Sequence, residues 1–111
     1  MGHKEVKSCI ESCGIKAAHW AFIGGTAPAL PWAVFYQDGT DGAYADDVLY
    51  AANVDWVVEL YERTLTPKLE AALEAAITRD FGAWARSEAW ISEEECLQVT
   101  YRFSEVQSNL D

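Results

Sequence analysis

Two cysteines near the N-terminus have the spacing of a potential metal-binding pair. Cys9 and Cys13 are one helical turn apart, and His3 lies upstream of them. Thiolate and imidazole ligands on one helix could share a zinc ion. No second ligand pair with metal-site spacing follows, and free cysteines are commonly buried as small apolar residues. The sequence therefore favours two buried thiols over a metal site, and it implies no cofactor.

Two further side chains have reactive chemistry, the thiol of Cys96 and the imidazole of His19. A catalytic thiolate needs a neighbouring base and electropositive surroundings. Cys96 instead follows three glutamates, Glu93, Glu94 and Glu95, whose charge would raise the pKa of the thiol. His19 could act as a general base, but the sequence offers it no partner. We therefore predict a buried thiol, a strand or surface histidine, and no catalytic residue.

Two acidic clusters could bind a cation or a partner. One is the run Glu93 to Glu95, and the other surrounds a glycine-rich stretch and comprises Asp38, Asp41, Asp46 and Asp47. Calcium loops of the EF-hand type need oxygens at alternate positions and a distal glutamate, and this spacing is missing. Solvated, mutually repelling carboxylates are the favoured interpretation. The glycines and the uncompensated charge predict a mobile loop over residues 38–47 that orders on assembly.

Tryptophan is more abundant than one small core requires. Five Trp accompany five Tyr and four Phe in 111 residues. Trp84 and Trp90 share a predicted strand face with Arg86 and Glu88. Aromatic residues beside charges anchor protein–protein interfaces, although covering the second face of a sheet would use them equally well. Trp84, Trp90 and the two acidic clusters are therefore the candidate partner-binding residues.

Composition excludes several classes of protein. The chain has 18 acidic and 8 basic residues, a formal net charge of −10 that disfavours a nucleic-acid-binding surface. Its hydrophobic share of 50% predicts one folded domain over residues 1–111 rather than disorder. No apolar run approaches the roughly 20 residues of a membrane span. Three cysteines without an export signal predict reduced thiols in a cytoplasmic protein.

Hydrophobic periodicity predicts the order α-β-β-β-α-β-β. In the second helix, Leu69, Leu73, Ala76 and Ile77 form the predicted buried stripe, while Glu70 and Glu74 are expected to face water. The sequence thus predicts an α+β fold in which two helices pack against a mainly antiparallel sheet. The predicted elements are a helix ending at Gly14, strands Ile15–Ile23, Trp32–Gln37 and about Val48–Tyr61, a helix from Thr66-Pro67 to Gly82, and a hairpin of Ala83–Ile91 with Leu97–Ser104.

Several stretches resemble small proteins from the structural-gene clusters of bacteriophages and prophages. They are the runs Gly24–Tyr36 and Tyr44–Asp47, the strand ending Val58–Tyr61 and the helix beginning Pro67–Glu70. The order of elements is also similar to that of the tail-terminator, or tail-completion, proteins of long-tailed phages. The resemblance covers most of the chain, from about Glu5 to Phe103, and it includes no catalytic motif.

The resemblance implies a structural protein and no enzyme. Such proteins form a ring, usually of six subunits, at the head-proximal end of the tail tube, where they stop tube polymerisation. Their partners are further copies of themselves, the tail tube and the head connector, with no membrane and no sequence-specific nucleic-acid binding. The implied location is the host bacterial cytoplasm during assembly and then the virion tail. Acidic loops facing the DNA passage would keep DNA from adhering to its wall.

Two other classes remain open. One is a different phage interaction protein, such as a head–tail joining factor or an acidic DNA mimic that inhibits a host enzyme. The other is a small enzyme or ligand-binding α+β domain that uses His19 or a carboxylate. A cleft with perturbed carboxylates would favour the last class. Exposed aromatics on two different surfaces and a free sheet edge would favour a ring, because head-to-tail closure needs two unlike patches.

Overall fold

A computed structural model describes residues 2–22, 28–45 and 48–108. The described elements follow the predicted order α-β-β-β-α-β-β, and the fold is α+β. No helix among these residues has the length and apolarity needed to cross a membrane. The elements are α1 (His3–Glu11), β1 (Lys16–His19), β2 (Trp32–Ala45), β3 (Val48–Glu62), α2 (Pro67–Asp80), β4 (Trp84–Ile91) and β5 (Cys96–Ser108).

The five strands form one sheet in the order β1-β2-β3-β5-β4. Only β1 runs parallel to its neighbour, and the other three pairs are antiparallel. The edge strands are short, since β1 pairs only with residues 32–35 of β2 and β4 only with residues 96–103 of β5. Residues 38–45, 48–55 and 104–108 therefore extend beyond both edge strands, and we call this three-stranded extension the ribbon.

The core lies between the two helices and one face of the sheet. Leu73, Ala76 and Ile77 of α2 are buried as predicted, and Leu69 is partly buried. They share one apolar cluster with Trp56 and the neighbouring inward side chains of β3. From α1, the same cluster receives Val6, Cys9 and Ile10, and the partly buried Cys13 packs against it. Since Leu73 and Ile77 share this cluster with Val54, Trp56 and Val58, α2 covers that face of β3.

The prediction of a mobile loop over residues 38–47 is wrong for residues 38–45, the part of it that the structure describes. Residues 38–45 continue β2 and pair with β3 back to Val48. Aspartate and glycine favour turns locally, but a 15-residue β3 supplies a hydrogen-bonding partner along its whole length. The register shifts between Gln37 and Gly39, so this glycine lies at an irregularity inside the strand. Asp46 and Asp47 lie outside the described residues.

The first strand is shorter than predicted. It ends at His19, and Trp20 follows with a positive φ of 71°. That conformation is sparsely populated by bulky residues and turns the chain out of the strand. The Trp20 N–H still donates to the Phe35 carbonyl at 3.0 Å. The predicted strand is therefore wrong for residues 20–22, while Ile23 lies outside the described residues.

Candidate functional site

The sheet face opposite the helices carries a group of aromatic side chains around one carboxylate. Because strand residues alternate between faces, the buried Phe35 and Val58 leave their sequence neighbours on the opposite side. We call this group the aromatic face: Trp20, Phe22, Trp32, Tyr36, Glu59 and Tyr61.

Aromatic contacts hold the rings of this face in pairs. Trp20 stacks on Tyr36 with ring centroids 4.7 Å apart. The ring centroids of Trp32 and Tyr61 are 4.5 Å apart, and Phe22 packs edge-on against Trp32 with ring centroids 5.3 Å apart. Such geometries add to the stabilisation from burial alone. Trp20 nevertheless remains 60% exposed, so a large aromatic surface faces solvent.

Glu59 lies between the two tyrosines and accepts a hydrogen bond from each. The Tyr36 hydroxyl donates to Oε2 at 2.7 Å, and the Tyr61 hydroxyl donates to Oε1 at 2.9 Å. Gln98 Nε2 donates to the Tyr61 oxygen at 2.7 Å and orients that hydroxyl. The hydrogen bond to Glu59 raises the pKa of Tyr36 to about 12, and burial raises the pKa of Tyr61 to about 12. Both hydroxyls therefore remain donors at neutral pH.

An open cavity of about 290 Å³ lies against Glu59. Aromatic rings form most of its walls, and Val34 and Glu59 supply the remaining apolar and charged surface. A carboxylate among aromatic faces attracts a cation, because the ring quadrupole presents negative charge at its face. The arrangement can hold a cation through the charge of Glu59 and the aromatic rings around it.

A second carboxylate group lies on the helix side of the sheet, around Arg86 of β4. The guanidinium pairs with Glu70 and Glu74 of α2, each at 2.8 Å, and with Glu88 of its own strand. The Tyr101 hydroxyl donates to Glu74 at 2.8 Å. We call these residues, together with the neighbouring Glu62, the Arg86 cluster.

Within the Arg86 cluster, two neighbouring buried carboxyl groups have pKa values shifted in opposite directions. Glu62 is 1% exposed, and burial together with the neighbouring Glu70 raises its pKa to about 7. Burial opposes ionisation of Glu70 as well, but the neighbouring Glu62, the Arg86 guanidinium at 2.8 Å and the Thr66 N–H at 3.1 Å lower its pKa overall. Glu62 is thus the protonated partner and Glu70 the anion. Both lie beneath the surface, since Glu62 is 1% and Glu70 is 4% exposed.

The prediction that Glu70 and Glu74 face water is wrong for Glu70, which is 4% exposed, and holds only in part for Glu74. Arg86 compensates the charge that burial would otherwise penalise. Two features of the sequence are consistent with this charge cluster. Glu70 and Glu74 are four residues apart, so they lie on the same face of α2. Arg86 and Glu88 alternate on the inward face of β4.

The candidate partner-binding residues occupy separate regions. Asp38 is exposed in β2, the backbone of Asp41 continues that strand, and Asp46 and Asp47 lie outside the described residues. Glu93, Glu94 and Glu95 are exposed in the turn between β4 and β5. Since β5 begins at this turn and ends in the ribbon, Asp38 and the three glutamates lie towards opposite ends of the sheet.

The two candidate tryptophans differ in exposure. Trp90 is 58% exposed near the end of β4. Trp84 is half-buried, and its Nε1–H donates to the Thr78 hydroxyl at 2.8 Å. Its ring also packs edge-on against Tyr101 at 5.6 Å. Trp84 therefore belongs to the packing of α2 on the sheet, and only Trp90 presents a largely free surface.

Two of the three cysteines are buried as predicted, whereas Cys13 is only partly buried. Cys9 is buried on α1 and Cys96 is buried at the start of β5. Burial raises the pKa of Cys9 to about 12, and burial followed by the charge of Glu94 raises that of Cys96. His19 stacks between His3 and Phe35, each ring centroid 5.2 Å away. Among the described residues, no group of His, Cys, Asp or Glu could hold a metal ion.

Sequence reasoning missed the Glu59 site, although its signal was present. The alternation of β3 places Glu59 and Tyr61 opposite the core, and that of β2 does the same for Tyr36. What the pattern lacked was the register that aligns the two strands. Comparison with models of known protein families gave no match, and comparison with curated proteins gave none.

Proposed function

We propose that this protein is a structural subunit of bacteriophage tail assembly that associates head to tail into a ring, as a tail terminator does. The observation that supports it is the position of two exposed tryptophans. Trp20 follows the edge strand β1 and lies on the aromatic face, whereas Trp90 lies on the opposite edge strand and the opposite face. The chain thus has two unlike apolar patches at the two edges of its sheet.

Unlike patches favour a closed ring over a two-fold dimer. In a two-fold dimer the same patch meets itself, whereas in a head-to-tail contact one patch meets the other and each subunit keeps a free copy of both. Strand addition suits this contact, because β4 ends the sheet on one side and β2 extends beyond β1 on the other. Edge pairing would supply backbone hydrogen bonds, and the tryptophans would anchor it.

The acidic surface fits the passage of DNA through such a ring. The net charge is −10. Three acidic residues lie along the two strands β2 and β3 of the ribbon: Asp41, Asp55 and the exposed Asp38. Acidic walls repel phosphates and keep a sliding duplex from adhering. We propose the tail tube and the head connector as partners, and the host cytoplasm followed by the virion tail as the location.

Complementation of a phage that lacks this gene tests the role. We expect overlong, headless tails by electron microscopy without the gene, and tails of normal length when it is restored. Charge reversal of Asp46 and Asp47 to Lys is expected to leave folding nearly intact but to reduce infectious particles, because the passage would then attract DNA. Tails of normal length and full infectivity in the absence of the gene would overturn the proposal.

A mixing experiment tests the head-to-tail geometry separately. Trp20→Ala and Trp90→Ala each remove one patch, so each variant alone is expected to remain monomeric at every concentration. Their mixture retains one intact pair of patches and is expected to form a dimer that grows no further, as measured by light scattering across a concentration series. Leu65→Ala, which truncates another exposed apolar side chain, is the matched control and assembles like the wild type. Full rings from either single variant would exclude this contact.

A further inference from the structure

We propose that the aromatic face binds the guanidinium of an arginine side chain presented by a partner protein, with Glu59 as its anion. The inference goes beyond ring formation and does not depend on it. The binding site is the open cavity bounded by Trp20, Phe22, Trp32, Glu59 and Tyr61.

The first argument is the unused hydrogen-bonding capacity of Glu59. A carboxylate offers about four lone-pair positions on its two oxygens. Tyr36 occupies one position on Oε2 and Tyr61 one on Oε1, so each oxygen keeps a position free. Two free acceptors on one planar group match the parallel N–H donors of a guanidinium. A lysine ammonium, which is a point charge, would use this geometry less well.

The second argument is the charge around the site. Among the described side chains, the ion pairs involve Lys7, Arg79 and Arg86, and none reaches Glu59. Arg102 lies on the same face, two strands from Tyr36, and is close enough to lower the pKa of that tyrosine slightly. Among the described side chains, no cation therefore pairs directly with Glu59, in a protein whose net charge of −10 attracts cations.

Third, on the other side of the sheet, an arginine already lies beside a glutamate and a tyrosine ring. There the Arg86 guanidinium lies 6.0 Å from the centroid of the Tyr101 ring and pairs with Glu74 at 2.8 Å. The hydroxyl of that tyrosine donates to the same glutamate at 2.8 Å. A tyrosine hydroxyl bound to a glutamate beside an aromatic ring is thus an arginine site in this protein. The aromatic face repeats those groups without the arginine.

The fourth argument is the exposure of the aromatic walls. Trp20 is held at a positive φ of 71° and is 60% exposed, although its ring stacks on Tyr36. Strained backbone around an exposed aromatic is typical of binding sites. Planar guanidinium groups stack on such rings, and the cavity of about 290 Å³ accepts a side chain but not a folded domain. The side chain must therefore project from its partner.

The test is a titration followed by NMR of the tryptophan indole N–H groups. The probe is a capped peptide, acetyl-Gly-Ser-Arg-Ser-Gly-amide, and its control replaces arginine with citrulline, which has the same shape without the charge. We expect saturable shifts at Trp20 and Trp32 with a Kd in the millimolar range, as for one charged contact with aromatic stacking. The citrulline peptide is expected to bind at least tenfold more weakly.

Variants connect the signal to the site. Glu59→Gln is expected to weaken binding of the arginine peptide at least tenfold while the remaining spectrum stays folded, and Trp20→Ala is expected to weaken it severalfold. Glu11→Gln, which removes one exposed charge on α1 and lies outside every candidate site, is the matched control and leaves the Kd unchanged.

Three outcomes would overturn the proposal. They are equal binding of the citrulline peptide, full binding by Glu59→Gln, and tighter binding of tetramethylammonium or free arginine than of the peptide, which would indicate a small-molecule site. The titration uses the Trp90→Ala variant, in which the head-to-tail contact cannot form and Trp20 stays exposed, so its failure leaves the ring proposal standing, and the reverse also holds.

Discussion

The Arg86 cluster and the aromatic face lie on opposite sides of one sheet, and each places glutamates beside tyrosine hydroxyls. Only the Arg86 cluster contains a cation that pairs with its glutamates. Under α2, the four carboxyl groups of Glu62, Glu70, Glu74 and Glu88 surround one guanidinium, and one of them keeps its proton. On the open face, Glu59 is stabilised by two hydroxyls and by solvent.

The difference lies in what burial demands. A carboxylate beneath a helix must be neutralised by a cation or a proton, because the desolvation cost of an unpaired charge is large. A half-exposed carboxylate has no such requirement, so it can keep its charge for a partner. Buried carboxylates therefore belong to the fold, whereas Glu59 is available for binding.

Removing Arg86 tests the buried side most severely. Arg86→Met would leave buried carboxylates without their cation, and we expect a loss of about 3–5 kcal/mol in the free energy of unfolding, measured in urea. Arg79→Met, whose ion pair with Asp80 is exposed, is the control and leaves the midpoint unchanged. A loss below about 1 kcal/mol for Arg86→Met would mean that the cluster relaxes into water.

Leu73→Ala measures the apolar part of the same interface. Leu73 is fully buried between α2 and the sheet, so we expect a loss of about 2–5 kcal/mol with an unchanged urea slope. Leu69→Ala, at a partly buried position of the same stripe, should cost less. A change well below 1 kcal/mol at Leu73 would place the helix elsewhere.

The protonated state of Glu62 predicts the pH dependence of stability. The folded protein holds this proton up to a pKa of about 7, whereas the unfolded chain releases it near the ordinary value of 4.5. More protons are bound when folded within that window, so the contribution of Glu62 is present below pH 4.5 and is lost as pH rises towards 7. Glu70 has a lowered pKa, and its own contribution falls away only below pH 4.5.

Glu62→Gln should remove this dependence. Relative to the wild type, the variant is expected to gain about 1–3 kcal/mol between the acidic and the neutral end of the window, measured by urea unfolding at each pH. Glu93→Gln, at an exposed turn, should follow the wild-type profile. Parallel profiles for Glu62→Gln and the wild type would contradict a raised pKa of Glu62.

The smallest effect is expected on the open face. Glu59→Gln keeps an acceptor for one tyrosine hydroxyl and leaves no buried charge unpaired, so the free energy of unfolding should change by about 1 kcal/mol or less. Tyr36→Phe, which removes one of the two donors, should behave similarly. A loss as large as that of Arg86→Met would show that Glu59 serves the fold and would erase the contrast between the faces.

Local patterns in the sequence predicted the α+β order, the α2 stripe and the β4–β5 hairpin. Each depends on residues close in the chain: the period of Leu73 and Ile77, the start at Thr66-Pro67, and the alternation around the turn at Glu93 to Glu95. The same patterns failed at residues 38–45, where local turn chemistry competed with a distant strand. Pairing with β3 supplied more hydrogen bonds than a turn could.

The two carboxylate sites depended on contacts that no local pattern encodes. Glu70 is outward by helix period, yet Arg86, 16 positions later, lies at 2.8 Å and makes its burial possible. Glu59 meets Tyr36 only because the β2–β3 register brings the strands together. The sequence alone determined which faces are apolar, since periodicity is a property of neighbours. Tertiary structure decided which charges meet, because the energy of a charge depends on distant groups brought close by folding.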